Sequence, residues 1–303
     1  MSMNRGGLFW SKLTYQNIDR FRDWSDLVLN DSQVNGPENE IQEPIADLRQ
    51  KWTGKGEPRL PCPRVWLSIN ALNVFVDANG NSSVYWPMQG RLHAVARQSA
   101  GWMMTPKFYP NDDPMPSLVP VEESAPWGRV RFLDLSNRTL GIALAYEMAA
   151  AAQYADGIFL DEAHSTIADI RGRHPGVTIT DEAWCGGLKF ILRKYATLMG
   201  GRPKPVITNG TFGREHSALV SGRFWQATRA ADLEAKVADS EGAAFTMLHS
   251  CGDMATPAQL GGACMKVEAL GGEACYSWTP TNGPFVYDWI PPAVEQISLP
   301  IEG

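Results

Sequence analysis

Short apolar runs alternate along this chain with stretches in which apolar residues recur at helical spacing, the pattern of repeated strand–helix units. The runs are Gly7–Trp10, Asp26–Asn30, Arg64–Asn70, Gly157–Asp161, Pro205–Asn209, Arg223–Gln226, Ala244–Leu248 and Ala274–Trp278. Helical patterns lie around Asn17–Trp24, Ile45–Trp52, Leu140–Tyr154, Asp181–Met199, Ala231–Asp239 and Pro257–Leu270. The alanines of Leu140–Tyr154 favour helix on propensity alone. Asp181 reads as the N-cap of its helix, and Gly200-Gly201 as its stop.

The rhythm breaks between Ala71 and Ser136. Two apolar runs, Asn73–Asp77 and Ser83–Trp86, flank Ala78-Asn79-Gly80-Asn81, which reads as a hairpin turn. A helical pattern over Gly90–Ala100 follows, then Trp102–Thr105 and a loop carrying Pro106, Pro110, Pro114, Pro116, Pro120 and Pro126. Long loops in compact domains are usually functional, so 71–136 is expected as an insertion on the working face.

Eight strands joined by crossover helices predict an α/β fold, a single (β/α)8 TIM barrel spanning residues 1–303, with the irregular insertion after strand three. No G-x-G-x-x-G follows the first strand, which removes the main reason to expect an open dinucleotide-binding sheet.

Composition narrows the function classes. The 303 residues are 44% hydrophobic and 20% charged, enough apolar surface for a large core. A net charge of −6 without a basic tract argues against nucleic acid as a partner. Cys62, Cys185, Cys251, Cys264 and Cys275 show no C-x-x-C spacing, so they are expected as free thiols. No run reaches the ~20 apolar residues of a membrane span, and Met1–Trp10 does not read as an export signal, so the expectation is a protein cytoplasmic as synthesised, with no membrane partner.

In a barrel of this kind the chemistry sits where strands end. Those positions hold Trp10, Asn30 and Asp31, Asn70, Asp161 and Glu162, Asn209, Gln226, His249 and Trp278. Aromatic platforms beside amides and carboxylates suit a sugar, with its apolar ring faces and hydroxyl edges. Alternation along Asp156–Asp161 puts Asp161 on the side of Phe159, toward the barrel axis. Two carboxylates at one strand end are able to divide nucleophile and acid roles, which makes Asp161 and Glu162 the catalytic candidates. A structural alternative for Glu162 is capping the next helix or pairing with Arg171 or Arg173. Trp10, Asp31, Asn70, Asn209, Gln226, His249 and Trp278 are the substrate-binding candidates.

The histidines suggest no metal site. His164 lies near Asp161 and His249 ends strand seven, but the early His-x-His of barrel metallohydrolases is missing. Neither a metal nor another cofactor is expected, and His249 is read as a hydrogen-bonding group beside the sugar. Of the eleven tryptophans, Trp24, Trp52 and Trp184 fall within helical patterns and are expected to pack; Trp86, Trp102 and Trp127 lie in or beside the insertion.

Asp156-Gly157-Ile158-Phe159-Leu160-Asp161-Glu162, with Phe132-Leu133-Asp134-Leu135-Ser136-Asn137 before it and Val206-Ile207-Thr208-Asn209-Gly210 after it, resembles the polygalactosaminidase and spherulin type of glycosidase barrel. It is also similar to related glycosyl hydrolases, some of them carried by phages. The resemblance covers about residues 129–210. It implies that Asp161 is the nucleophile or charge stabiliser and that a carboxylate ending strand six is the general acid. This chain has Gln226 there, so Glu162 is the first substitute, ahead of Asp31 and Asp253. A chitinase-like alignment fits poorly, since it puts Phe159 at one aspartate and Ala163 at the catalytic glutamate.

Two functions stay open on the sequence. One is a glycoside hydrolase cleaving O-glycosidic bonds of a polysaccharide or oligosaccharide. The other is a non-catalytic carbohydrate-binding or structural protein, which Gln226 favours. Through the phage-carried relatives, the resemblance adds a virion or a second copy of the chain as partners.

Overall fold

The computed structural model describes residues 6–9, 25–30, 63–76, 87–99, 129–173, 177–226, 228–251 and 254–279. Ten strands are found among them: β1 (Gly6–Phe9), β2 (Asp26–Asn30), β3 (Arg64–Asn70), β4 (Asn73–Val76), β5 (Arg129–Phe132), β6 (Gly157–Asp161), β7 (Val206–Asn209), β8 (Gly222–Trp225), β9 (Phe245–Cys251) and β10 (Glu273–Thr279). The helices are α1 (Pro87–Ser99), α2 (Arg138–Ala151), α3 (Ala168–Arg173), α4 (Asp181–Leu198), α5 (Phe212–Glu215), α6 (Leu233–Ala238) and α7 (Pro257–Ala269), with a 3-10 turn at Ala230–Asp232.

Eight strands form one sheet in the order β1-β2-β3-β6-β7-β8-β9-β10, and every neighbouring pair is parallel. β1 and β10 lie against each other, which brings the two ends of the sheet together. The chain is therefore an α/β barrel of the TIM type. All eight strands expected from the sequence are present, within two or three residues at their ends.

Strand alternation divides the buried residues into an inner and an outer set. Val28, Trp66, Phe159, Ile207, Phe224, Phe245, Met247 and Cys275 fill the barrel interior as one cluster. Val65, Leu67, Ile158, Leu160 and Val206 face outward, onto Leu144 and Met148 of α2 and Trp184, Leu188 and Ile191 of α4. Leu248, Ala274 and Tyr276 pack on Leu260, Cys264 and Val267 of α7.

The N-terminal ends of the strands are closed by a charged floor. Arg64 donates to Asp26 at 2.8 Å and to Glu273 at 2.8 Å, and Trp66 Nε1 donates to Asp26 Oδ1 at 2.8 Å. The Trp66 ring occupies the space opposite Gly157, where a Cβ would lie 2.3 Å from it.

Local signals explain the helices. Thr256 and Gln259 form a reciprocal capping box ahead of α7, with Pro257 in its first turn. Asn137 caps α2, accepting from Leu140 N at 3.1 Å. α4 is capped by Thr180, which accepts from Ala183 N at 3.1 Å, rather than by Asp181 as the sequence suggested. The Asp181 carboxylate instead binds Arg171 at 2.7 Å and the Ile167 N–H at 2.8 Å, a use that only the folded loop reveals. Gly200 and Gly201, at φ 64° and 76°, end α4 as expected.

The described part of residues 71–136 contains a strand pairing that the sequence did not suggest. Asn73–Val76 pairs antiparallel with Arg129–Phe132, a strand absent from the sequence reading, and Leu133 N donates to Leu72 O at 2.7 Å. Ser83–Trp86, the partner expected across the Ala78–Asn81 turn, lies outside the described residues. The insertion thus leaves and rejoins the barrel through adjacent strands. Its helix α1 packs on α2, where Arg91 grips Glu147 with two 2.6 Å bonds.

Candidate active site

Asp161 is the last residue of β6 and has the inward parity of Phe159. Asn70 is its register partner on β3, and Asn209 ends β7 on its other side. Asn209 Nδ2 donates to Asp161 Oδ1 at 2.8 Å and to Gln226 Oε1 at 2.9 Å. A carboxylate and two amides therefore stand in a row across the ends of β6, β7 and β8. The Glu162 backbone N–H donates to the same Asp161 Oδ1 at 3.0 Å. Both bonds converge on one oxygen, and Oδ2 accepts none among the described residues. A carboxylate held by one oxygen presents the other in a fixed direction.

Burial pushes the Asp161 carboxyl up to about 6, and the neighbouring Glu162 charge adds to the rise; the bonds from Asn209 and the Glu162 N–H act in the opposite sense. At neutral pH the group is still mainly ionised.

Glu162 is the one non-glycine residue with positive φ among the described residues, at 55°. That conformation is unfavourable for an L-residue with a long side chain and persists only where the surroundings impose it. Here they do. Ala71 N donates to Asp161 O at 2.9 Å, Ala163 N to Asn209 O at 2.8 Å and Phe212 N to Ala163 O at 3.0 Å. Trp184 Nε1 donates to His164 O at 2.8 Å, and Ser165 N to Thr211 Oγ1 at 2.9 Å. Gly210, at φ 127°, passes so close that a Cβ there would lie 2.4 Å from Ala163 O.

The Glu162 side chain turns to His164, with Oε2 and Nε2 2.8 Å apart. This hydrogen bond is the main cause of a raised His164 pKa, against the opposing effect of burial. The pairing with Arg171 that the sequence allowed does not form, because Asp181 holds that guanidinium.

His249 lies on the inner side of β9. Its Nδ1 is 2.8 Å from Ser277 Oγ, and its ring stacks on Phe224 with centroids 5.9 Å apart. Burial pulls its pKa down to about 4, so the ring is neutral at physiological pH. It offers a hydrogen bond without a charge.

Asn70 ends β3, where its Oδ1 accepts from Leu72 N at 2.9 Å. Trp278 belongs to β10 in register with Ser250, with its side chain outside the described residues. Trp10, Asp31 and Asp253 also lie outside them. Trp184 packs fully buried, as its helical pattern implied. Cys185, Cys264 and Cys275 are free thiols. Among the described residues no three His, Cys, Asp or Glu side chains cluster to hold an ion, and no helix is long and apolar enough to cross a membrane. The sequence missed the His164–Glu162 contact and the Ser277 partner of His249. Only strand register foreshadows the second, since Ser277 and His249 pair across β9 and β10.

No family model matches the chain, and no curated protein does. Solved structures match it through the fold. The glycoside hydrolase domain of PelA from Pseudomonas aeruginosa is similar at a TM-score of 0.50 and 11% identity, over 91% of this chain and 95% of that one. The GH36 α-galactosidase AgaA of Geobacillus stearothermophilus, in complex with stachyose, is similar at a TM-score of 0.52 and 9% identity, over 96% of this chain. The same enzyme with 1-deoxygalactonojirimycin gives 0.51 and 11%, over 93% of this chain. This chain shares the barrel fold of those structures. It spans about 40% of the galactosidase chain but nearly all of the PelA domain.

Proposed function

We propose that the protein hydrolyses O-glycosidic bonds of a polysaccharide or oligosaccharide, with Asp161 as the charged group facing the anomeric carbon and the proton supplied from the Glu162 side of the same loop. The observation that carries this reading is the state of Asp161. It is an inward carboxylate at the C-terminal barrel end, pinned through Oδ1, with Oδ2 accepting no bond among the described residues. Glycosidic cleavage passes through an oxocarbenium-like state, and an oriented carboxylate in partly desolvated surroundings stabilises that charge far better than one in water. Asn70, Asn209, Gln226 and the neutral His249 give the hydroxyl edges of a sugar their partners, and Trp10 is the proposed ring face; Trp278 shares the outward parity of Ala274 and Tyr276 and is left out of this set.

The test compares reducing ends released from a panel of bacterial surface polysaccharides by the wild type and by Asp161→Asn. Turnover is expected to vanish in the variant while sugar binding survives. Equal release by both proteins would remove Asp161 from the mechanism.

One observation favours a second reading. Gln226 stands where the resemblance calls for an acid, and its Oε1 is occupied by Asn209. A non-catalytic carbohydrate-binding or structural protein, assembled into a virion or with further copies of itself, would keep this amide row and need no proton donor. Binding of a polysaccharide without release of reducing ends marks that outcome.

A further inference from the structure

We propose that His164 is the proton donor of this site, protonating the leaving oxygen through Nδ1 while Glu162 orients the ring through Nε2. This role rests on the glycosidase reading above and supplies the acid that Gln226 cannot be.

Three observations lead to it. First, Glu162 is already committed: its Oε2 lies 2.8 Å from His164 Nε2, and His164 Nδ1 has no partner among the described residues. A carboxylate on one ring nitrogen fixes the ring, stabilises the imidazolium and leaves the other nitrogen to carry a transferable proton. In that arrangement Glu162 is a positioning residue.

Second, the pair is held in place from outside. Trp184 fixes the His164 carbonyl, Asn209 and Phe212 fix Ala163 between the two residues, and Glu162 keeps its left-handed conformation within this frame. Strain maintained by so many fixed neighbours characterises functional loops.

Third, the described charges that act on the ring are of one sign. Glu162, Asp161 and Asp169 of the short α3 act on His164, and each favours the protonated ring. With 40% of its side chain exposed, the ring is accessible to a bound sugar.

In the step itself, the C–O bond to the leaving sugar breaks and its electron pair stays on the leaving oxygen. That oxygen takes the Nδ1 proton, and Asp161 stabilises the positive charge at the anomeric carbon. Water then adds its hydroxyl to that carbon and returns its proton to Nδ1, restoring the imidazolium.

The experiment uses the full chain and the polysaccharide panel above, measuring reducing ends against pH for the wild type, Asp161→Asn, Glu162→Gln and His164→Gln. Ring NMR titration and thermal melts accompany each variant. His164→Gln keeps an N–H for Glu162, so its fold is expected to persist. Its kcat should fall roughly 10²–10⁴-fold at unchanged KM, with loss of the alkaline limb of the profile. In Glu162→Gln that limb should move to lower pH together with the His164 titration, which a merely structural role would not produce. Suppose a polymer is cut by the wild type, spared by Asp161→Asn, and cut by folded His164→Gln at the wild-type rate with the limb in place. That result overturns the donor role and leaves the glycosidase reading standing. A wild type that releases nothing from any polymer overturns both.

Discussion

Asn209 and Asp161, 48 residues apart in sequence, meet through a 2.8 Å hydrogen bond from Nδ2 to Oδ1 at the ends of adjacent parallel strands. The same amide reaches Gln226, so Asn209 couples three strands at the point where the carboxylate is aimed. Parallel pairing of β6 with β7 and of β7 with β8 places these side chains on one rim, which no local pattern does alone.

Removing that amide should therefore raise the Asp161 pKa further. A hydrogen bond to a charged group contributes roughly 1.5–3 kcal/mol, or about one to two pKa units. Asn209→Ala is expected to shift the acid limb of reducing-end release upward by roughly one unit from about 6. A limb that stays in place would show that the bond does not hold the carboxylate.

Asp161 also makes a prediction about stability. Its pKa rises from 3.8 to about 6 on folding, so between those values the folded state binds more protons than the unfolded one. Stability contributed here is present below about pH 4 and is lost as pH climbs through 6. Asn at this position carries no charge to desolvate, and its side-chain oxygen still accepts from Asn209 and the Glu162 N–H. Asp161→Asn should melt a few degrees higher than wild type at pH 7–8 and no higher at pH 4. A lower melting temperature at pH 8 would contradict the desolvated charge.

The fold was legible because the barrel strands announce themselves by composition: Ile158-Phe159-Leu160 and Met247-Leu248 are apolar on both faces, as strands between an interior and a helix layer must be. β5 was not, because Arg129-Val130-Arg131-Phe132 is short, half-charged and paired with a strand far back in the chain. Asp161 was legible from alternation, since parity along one strand decides which side it faces. The Glu162–His164 pairing was hidden because it depends on a left-handed turn at a glutamate, which sequence does not signal. Asp181 was misplaced by one residue for a similar reason: Thr180 and Asp181 are both good caps, and the choice between them is made by Arg171.

That Arg171–Asp181 link anchors the loop after β6, and its pH dependence has the opposite sign to that of Asp161. Hydrogen bonding to Arg171 chiefly lowers the Asp181 pKa to about 2, so its stabilisation is present above about pH 4 and lost as pH falls through 2. The group is substantially exposed, and solvent screening keeps the effect small. Asp181→Asn should lower the melting temperature by a degree or two at pH 7, with the difference from wild type vanishing near pH 2. A constant difference across that range would mean that shape, not charge, is what Asp181 contributes.

Gly210 offers the sharpest separation of frame from chemistry. It sits at φ 127°, and a Cβ there would lie 2.4 Å from Ala163 O and 3.0 Å from His164 N. Gly210→Ala thus combines backbone strain with a collision against the segment that joins Glu162 to His164. Neither contact is with the far end of a side chain, so the 161–165 loop has to move. Gly242 is the control: it also has positive φ, at 75°, but a Cβ there meets nothing within 4 Å. Gly242→Ala should cost only about 1 kcal/mol, the strain of the left-handed region alone. Gly210→Ala should cost roughly 2–4 kcal/mol in denaturant unfolding and should also lower the His164 pKa by loosening its pairing with Glu162. Equal costs for the two substitutions, with the His164 titration unchanged, would show that the loop yields freely and that Gly210 does not hold the pair in place.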